Sequence, residues 1–141
     1  MSQDSGGFNI SFKTGANLDT TTSDFMPVRI GSASSVLIAN STTHKAIGIL
    51  QNRPNAGTGA AAWVRVNGTS KIVMNDTCTA GDLLVTGTAG GALRGTGLSI
   101  TAATSRFVIG YAIESCAATA TVIQVLLMPS VMAGTLSAAI D

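Results

Sequence analysis

Charge is what this chain has least of. Only 11% of its 141 residues are Asp, Glu, Lys or Arg, where soluble domains usually carry about a quarter. The eight Lys and Arg stand singly, and the formal net charge is +1. No basic stripe exists to neutralise a row of phosphates, so nucleic acid is not an expected partner. No apolar run approaches the roughly eighteen residues that cross a bilayer as a helix, so no membrane is expected either. The start, MSQDSGGFN, lacks the charged-then-apolar order of an export signal. The sequons at Asn9, Asn40, Asn67 and Asn75 then read as accidents of Ser/Thr richness. Synthesis in a reducing compartment is expected, with Cys78 and Cys116 as two thiols.

One histidine and two cysteines leave little material for catalysis. His44 lies in a polar turn without an acidic or thiol neighbour and is expected to be solvated. Cys78 and Cys116 have no CxxC spacing, which argues against a zinc site. Asp82, after Gly81, reads as a turn residue bonding nearby amides, and Glu114 as the polar end of a strand. Asp76 completes no acid–base pair with them. The glycine cluster at residues 57–59 precedes a strand where a dinucleotide loop precedes a helix. No nucleophile, base and orienting group assemble from these residues. No enzyme activity, metal or cofactor is expected.

What is abundant is small and apolar: 45% hydrophobic residues and 16 glycines. At this length the chain is read as one domain with a real core, whose sparsely charged surface suits a protein covered by neighbours. Residues 62–66 alternate as a half-buried strand, with Ala62, Val64 and Val66 on one face and Trp63 and Arg65 on the other. Asn67-Gly68 reads as a hairpin turn, residues 69–74 as the returning strand, and residues 83–85 as a third. Residues 107–113 form a strand whose Gly110 marks a bulge or close backbone approach. Residues 122–128, the most apolar run, read as a central strand ended by Pro129. No segment shows capped 3.6-residue periodicity. The expectation is an all-β barrel or sandwich of seven to nine short strands with little helix.

Residues 1–27 read as an extended arm, 28–130 as the β-rich domain and 131–141 as a tail. A loose terminus is the bland alternative for the arm. Phe8, Ile10, Phe12, Phe25 and Met26, with Lys13 among them, favour docking, because a solvated tail has no use for large apolar groups.

The arrangement resembles the capsid decoration, or cement, proteins of tailed bacteriophages. The residues that carry the resemblance are the strands of 63–74, Gly81-Asp82-Leu83-Leu84-Val85, the Gly-rich connection 87–97, Ile109-Gly110-Tyr111-Ala112-Ile113-Glu114 and the run 122–128. The resemblance implies a structural protein made in the host cytoplasm and carried on the outer capsid surface. It implies a homotrimer that cements neighbouring major capsid subunits, without cofactor. Trimer or capsid contacts would then come from Trp63, Arg65, Arg53 and Pro54, and capsid docking from the arm. A tail, fibre or adhesin module shares this composition. Gly81-Asp82-Leu83-Leu84 also looks like the lipoyl and biotinyl modules, but Lys71 lies inside a strand without flanking methionines.

Overall fold

The computed structural model describes residues 7–18, 24–41, 43–54, 57–87, 91–94, 106–118 and 121–132. Among the described residues nine strands form: β1 (Phe8–Thr14), β2 (Pro27–Ile30), β3 (Ser35–Ile38), β4 (Gly48–Leu50), β5 (Ala61–Met74), β6 (Leu83–Thr86), β7 (Ala92–Arg94), β8 (Arg106–Ala112) and β9 (Thr121–Met132). No helix occurs among the described residues, so the all-β expectation holds.

The pairings close into two rings that share β5. Its first half pairs with β4, which leads through β2 and β3 to β1, and β1 pairs antiparallel with β5 again. Its second half pairs with β9, which leads through β8 and β6 to β7, and β7 returns to β5 at Met74↔Ala92. Closure removes most of the unpaired edges that an open sheet exposes. The architecture is two five-stranded barrels side by side with one wall strand in common.

The hairpin expected at Asn67-Gly68 does not form. A two-residue type I′ turn needs positive φ at both central residues. Gly68 has φ of 82°, but Asn67 does not share the left-handed region. One such residue bends a strand without reversing it. The bend carries β5 from one barrel to the other, and β9 supplies the partners that a returning strand would have given.

Alternation along β5 places Ala62 and Val64 in the first core and Ile72 and Met74 in the second. The short β4 is buried on both faces. Leu50 joins Val28, Val36 and Val64 in the first core, while Ile49 reaches the second, beside Leu84, Ile109 and Val125. Each fully buried aliphatic side chain contributes about 1.5–3 kcal/mol. Both cores are small, so each depends on its ring staying closed.

Three local devices fix the path. The β2–β3 turn runs through Ala33 and Ser34 at φ of 54° and 61°. The Ser35 hydroxyl holds it by donating to the Ser32 carbonyl at 2.6 Å. Gly110 lies directly against the Leu126 carbonyl of β9, the close approach its sequence position implied. The β8–β9 register shifts between Val108 and Gly110, and Pro129, which has no N–H to offer, falls within that irregularity. Consequently β9 runs past Pro129 to Met132.

The boundary expected after residue 27 does not separate an arm from the domain. Residues 8–14 form β1, a wall of the first barrel, and Leu18 is buried in its core. Residues 1–6, 19–23 and 133–141, parts of the expected arm and tail, lie outside the described residues, as does the run 98–103.

Candidate functional site

The two faces of the β1–β5 ribbon differ. Trp63 and Arg65 point outward beside Ser11 and Asn9 of β1. Arg65 is engaged: its Nε donates to Asn9 Oδ1 at 2.8 Å and its Nη1 to the Thr69 carbonyl at 3.0 Å. It ties β1 to β5 across the bend. Trp63 is 48% exposed. Its backbone N–H donates to Asn52 Oδ1, and Asn52 Nδ2 donates to the Ala61 carbonyl, so Asn52 acts as a short surrogate strand.

Of the arm residues, Phe8 and Ile10 are exposed and Lys13 is solvent-facing, whereas Phe12 packs against the first core. Phe25 and Met26 are only part-exposed. Phe25 leans on the second core, with Lys71 Nζ 5.6 Å above its ring. Pro54 is buried and offers no contact surface, which corrects its expected role. Its place inside the fold reflects tertiary packing that a loop-like sequence does not announce.

At the waist between the barrels lies an open cavity of about 350 Å³ lined by Asp24, Phe25, Gln51, Asn52 and Arg53. Its polar groups are engaged, partly with one another and partly with the strands behind them. Arg53 pairs with Asp24 at 3.0 Å, and Gln51 Nε2 donates to the Ile49 carbonyl and to Ser70 Oγ. The exposed ion pair contributes at most about 1 kcal/mol. Phe25 holds a φ of 58°, and its carbonyl accepts from the Val73 N–H at 3.1 Å. These contacts lock the joint between the barrels. No nucleophile and base meet there.

Cys78 and Cys116 face each other in an isolated antiparallel bridge outside the strands, exchanging backbone hydrogen bonds of 3.0 and 2.9 Å. Both are buried thiols, with sulfurs 3.4 Å apart. Burial, then the hydrogen bond to Cys116, pushes the Cys78 thiol from 9.0 up to about 11. The fold favours the neutral thiol, so this stability is complete below pH 9 and is lost as pH rises towards 11. Thermal melts from pH 8 to 11 are expected to fall more steeply for the parent than for Cys78→Ala. Equal slopes would mean that the pair has no such linkage.

His44 Nδ1 accepts from the Asn40 N–H at 3.1 Å, so the ring caps its turn rather than standing free in solvent. Partial burial and the Arg29 charge hold its pKa below the ordinary value. Asp82 is the turn residue that its neighbours implied, taking the Thr79 N–H at 2.8 Å. Glu114 accepts from the Gln124 N–H at 2.9 Å. Among the described residues no three His, Cys, Asp or Glu side chains converge as a metal-ligand group.

The surface, rather than a pocket, holds what sequence reading missed. Tyr111, Ile113, Val122, Leu126 and Met128 are all exposed. Strict alternation in 121–128 was the available signal, hidden because residues on both faces of β9 are apolar.

No family model matches the sequence, and no curated protein matches it. Among solved structures, the fold is similar to the head fiber gp8.5 N base in bacteriophage phi29, with a TM-score of 0.48 and 17% identity. The match covers 86% of this chain and 95% of that one. No role is carried from it to this chain.

Proposed function

We propose that this chain is a structural virion protein that binds the outer face of an icosahedral phage head as a homotrimer and cements neighbouring major capsid subunits. It acts by binding and not by catalysis, and takes no cofactor or metal. The observation that carries this reading is the edge of β1. Residues 8–12 pair with β5 on one side, while pairing with β3 begins only at Lys13. Among the described residues the other edge of 8–12 has no strand partner, and Phe8 and Ile10 are 57% and 38% exposed beside it.

A free apolar edge is a liability in an isolated protein and an asset in one that receives a neighbour's strand. An extended segment of a capsid subunit would gain backbone bonds from the edge and apolar contact from Phe8 and Ile10. Three such contacts per trimer turn a weak affinity into a tight one. Low surface charge suits an outer position away from packaged DNA.

The test mixes the purified protein with heads of the phage that encodes it. The protein is expected to pellet with the heads, occupy local three-fold positions in electron micrographs and raise the temperature at which heads rupture. Phe8→Ser with Ile10→Thr is expected to weaken retention at least tenfold while the free protein stays folded. Failure of the parent to bind heads would overturn the reading. Parent-like retention of the variant would remove β1 from it.

A further inference from the structure

Outward positions of a closed barrel are normally polar, because the inward positions already make the core. The second barrel breaks that rule along one wall. On β9, Val122, Leu126 and Met128 alternate with buried Ile123, Val125 and Leu127. Tyr111 of β8 stands directly opposite Leu126, and Leu83 of β6 directly opposite Tyr111. Ile113, bonded through its N–H to the Gln124 carbonyl, extends the row. Tyr111, Leu126, Val122, Ile113 and Met128 are 41–49% exposed, and nothing among the described residues covers them.

We infer that this β6–β8–β9 wall is the self-association surface, and that its occupant is a second copy of this chain. The inference deepens the proposed homotrimer by assigning its interface. Two arguments select the occupant. The first is area. Five outward side chains, each 41–49% exposed, make an apolar row of the order of a few hundred Å², a size often functional on a monomer. A stable contact buries about 800 Å² per partner with an apolar centre of about this size.

The second argument is charge. Apart from the Gln124 amide and the Tyr111 phenol, which is uncharged at neutral pH, the outward groups of this row are apolar. The flanking charges are engaged: Glu114 accepts the Gln124 N–H, Asp82 accepts the Thr79 N–H, and Lys71, opposite Gln124 on β5, lies over the Phe25 ring. A neutral apolar wall meets its own copy without stranding a charge. Because β8 and β9 are each paired on both sides, partners must pack face to face rather than by strand addition.

Sedimentation of the free full-length chain tests this without any capsid. The expected mass is a multiple of 14.2 kDa, three-fold under the proposed function, and Leu126→Glu is expected to reduce it to the monomer. Because a charge at 126 is outward, the variant should keep the parent's β-sheet circular dichroism; Leu126→Ser serves if it does not. The chain has one Tyr and one Trp, which supply an internal control. On dilution through the transition, the Tyr111 absorbance should shift towards a solvated ring while Trp63 fluorescence stays constant. A parent that is monomeric at micromolar concentration overturns the inference, even if it binds heads. So does an oligomer that survives both substitutions. If the parent is monomeric and Leu126→Glu abolishes head binding, the wall faces the capsid and the occupant assigned here is wrong.

Discussion

Gly110→Ala is expected to lower the melting temperature by roughly 10–15 °C. A Cβ at this position would run into the Leu126 backbone carbonyl, with the Leu127 Cα close behind. A side chain in the way can rotate, but a backbone carbonyl in a ladder cannot. The strands must part, and β8–β9 is one of the longest ladders in the second barrel. Over-packing against flexible groups costs about 1–3 kcal/mol. Loss of ladder bonds adds to that here, for a total of about 3–5 kcal/mol. For a domain of this size each kcal/mol moves the midpoint by about 3 °C. Gly31→Ala is the control. Its new methyl would meet Leu37 Cδ1 and Ser35 Oγ at 3.1 Å, contacts that a few tenths of an ångström relieve without parting a ladder, so a change of no more than about 1 kcal/mol is expected. Calorimetry of the two variants decides the matter. Similar midpoints would mean that the β8–β9 contact relaxes and that Gly110 has no special role.

Removal of residues 1–14 is expected to cost still more and to open the first barrel. Had these residues been a detachable arm, the remainder would fold unchanged. In the structure β1 lies between β3 and β5 and closes the ring. Thr14, 2% exposed, anchors its end. Its hydroxyl donates to the Gly57 carbonyl and accepts from the Ala60 N–H, both at 3.1 Å. Without β1, the side of Ala62, Val64 and Leu50 that completes the first core faces water. Losing cover from several aliphatic groups, at about 1.5–3 kcal/mol each, is comparable with the whole stability of an ordinary domain. The expected product shows exchange-labile amides in β2–β4 and binds a hydrophobic dye. A truncated chain that melts like the parent would show that β1 is dispensable to the barrel.

The same strand shows how far the sequence could be read. Alternation of Phe8, Ile10 and Phe12 announced a strand, and alternation in 62–66 announced β5, because a two-residue period is a local property. The Gly110 contact was legible for a similar reason: only a missing side chain explains glycine inside an apolar strand. Partners were not legible. Nothing in residues 8–14 names β5 as neighbour, some fifty residues away, so β1 read as an arm. Asn67-Gly68 misled because a hairpin and a bend need the same glycine, and only the distant β9 decides between them. Phe25 and Pro54 looked like surface anchors for want of any local sign of the packing that takes them up. The exposed row on β9 was masked by its own hydrophobicity. A run apolar on both faces reads as a buried strand, whereas here only one face is buried.

Sharing β5 also sets an order in time. The ribosome delivers the chain from the N-terminal end, and every strand of the first barrel lies within the first 67 residues or so. That barrel has all its strands while the second is unfinished. The latter half of β5 must then wait for β9, about fifty residues later. During that interval Ile72 and Met74 have no core to enter, and the backbone of 68–74 is a vacant template. The nascent protein is therefore most exposed to mispairing with its siblings at this stage. Slowing synthesis between β5 and β9 would lengthen that interval and lower the yield of soluble chain, whereas a slow start before β5 would do no harm.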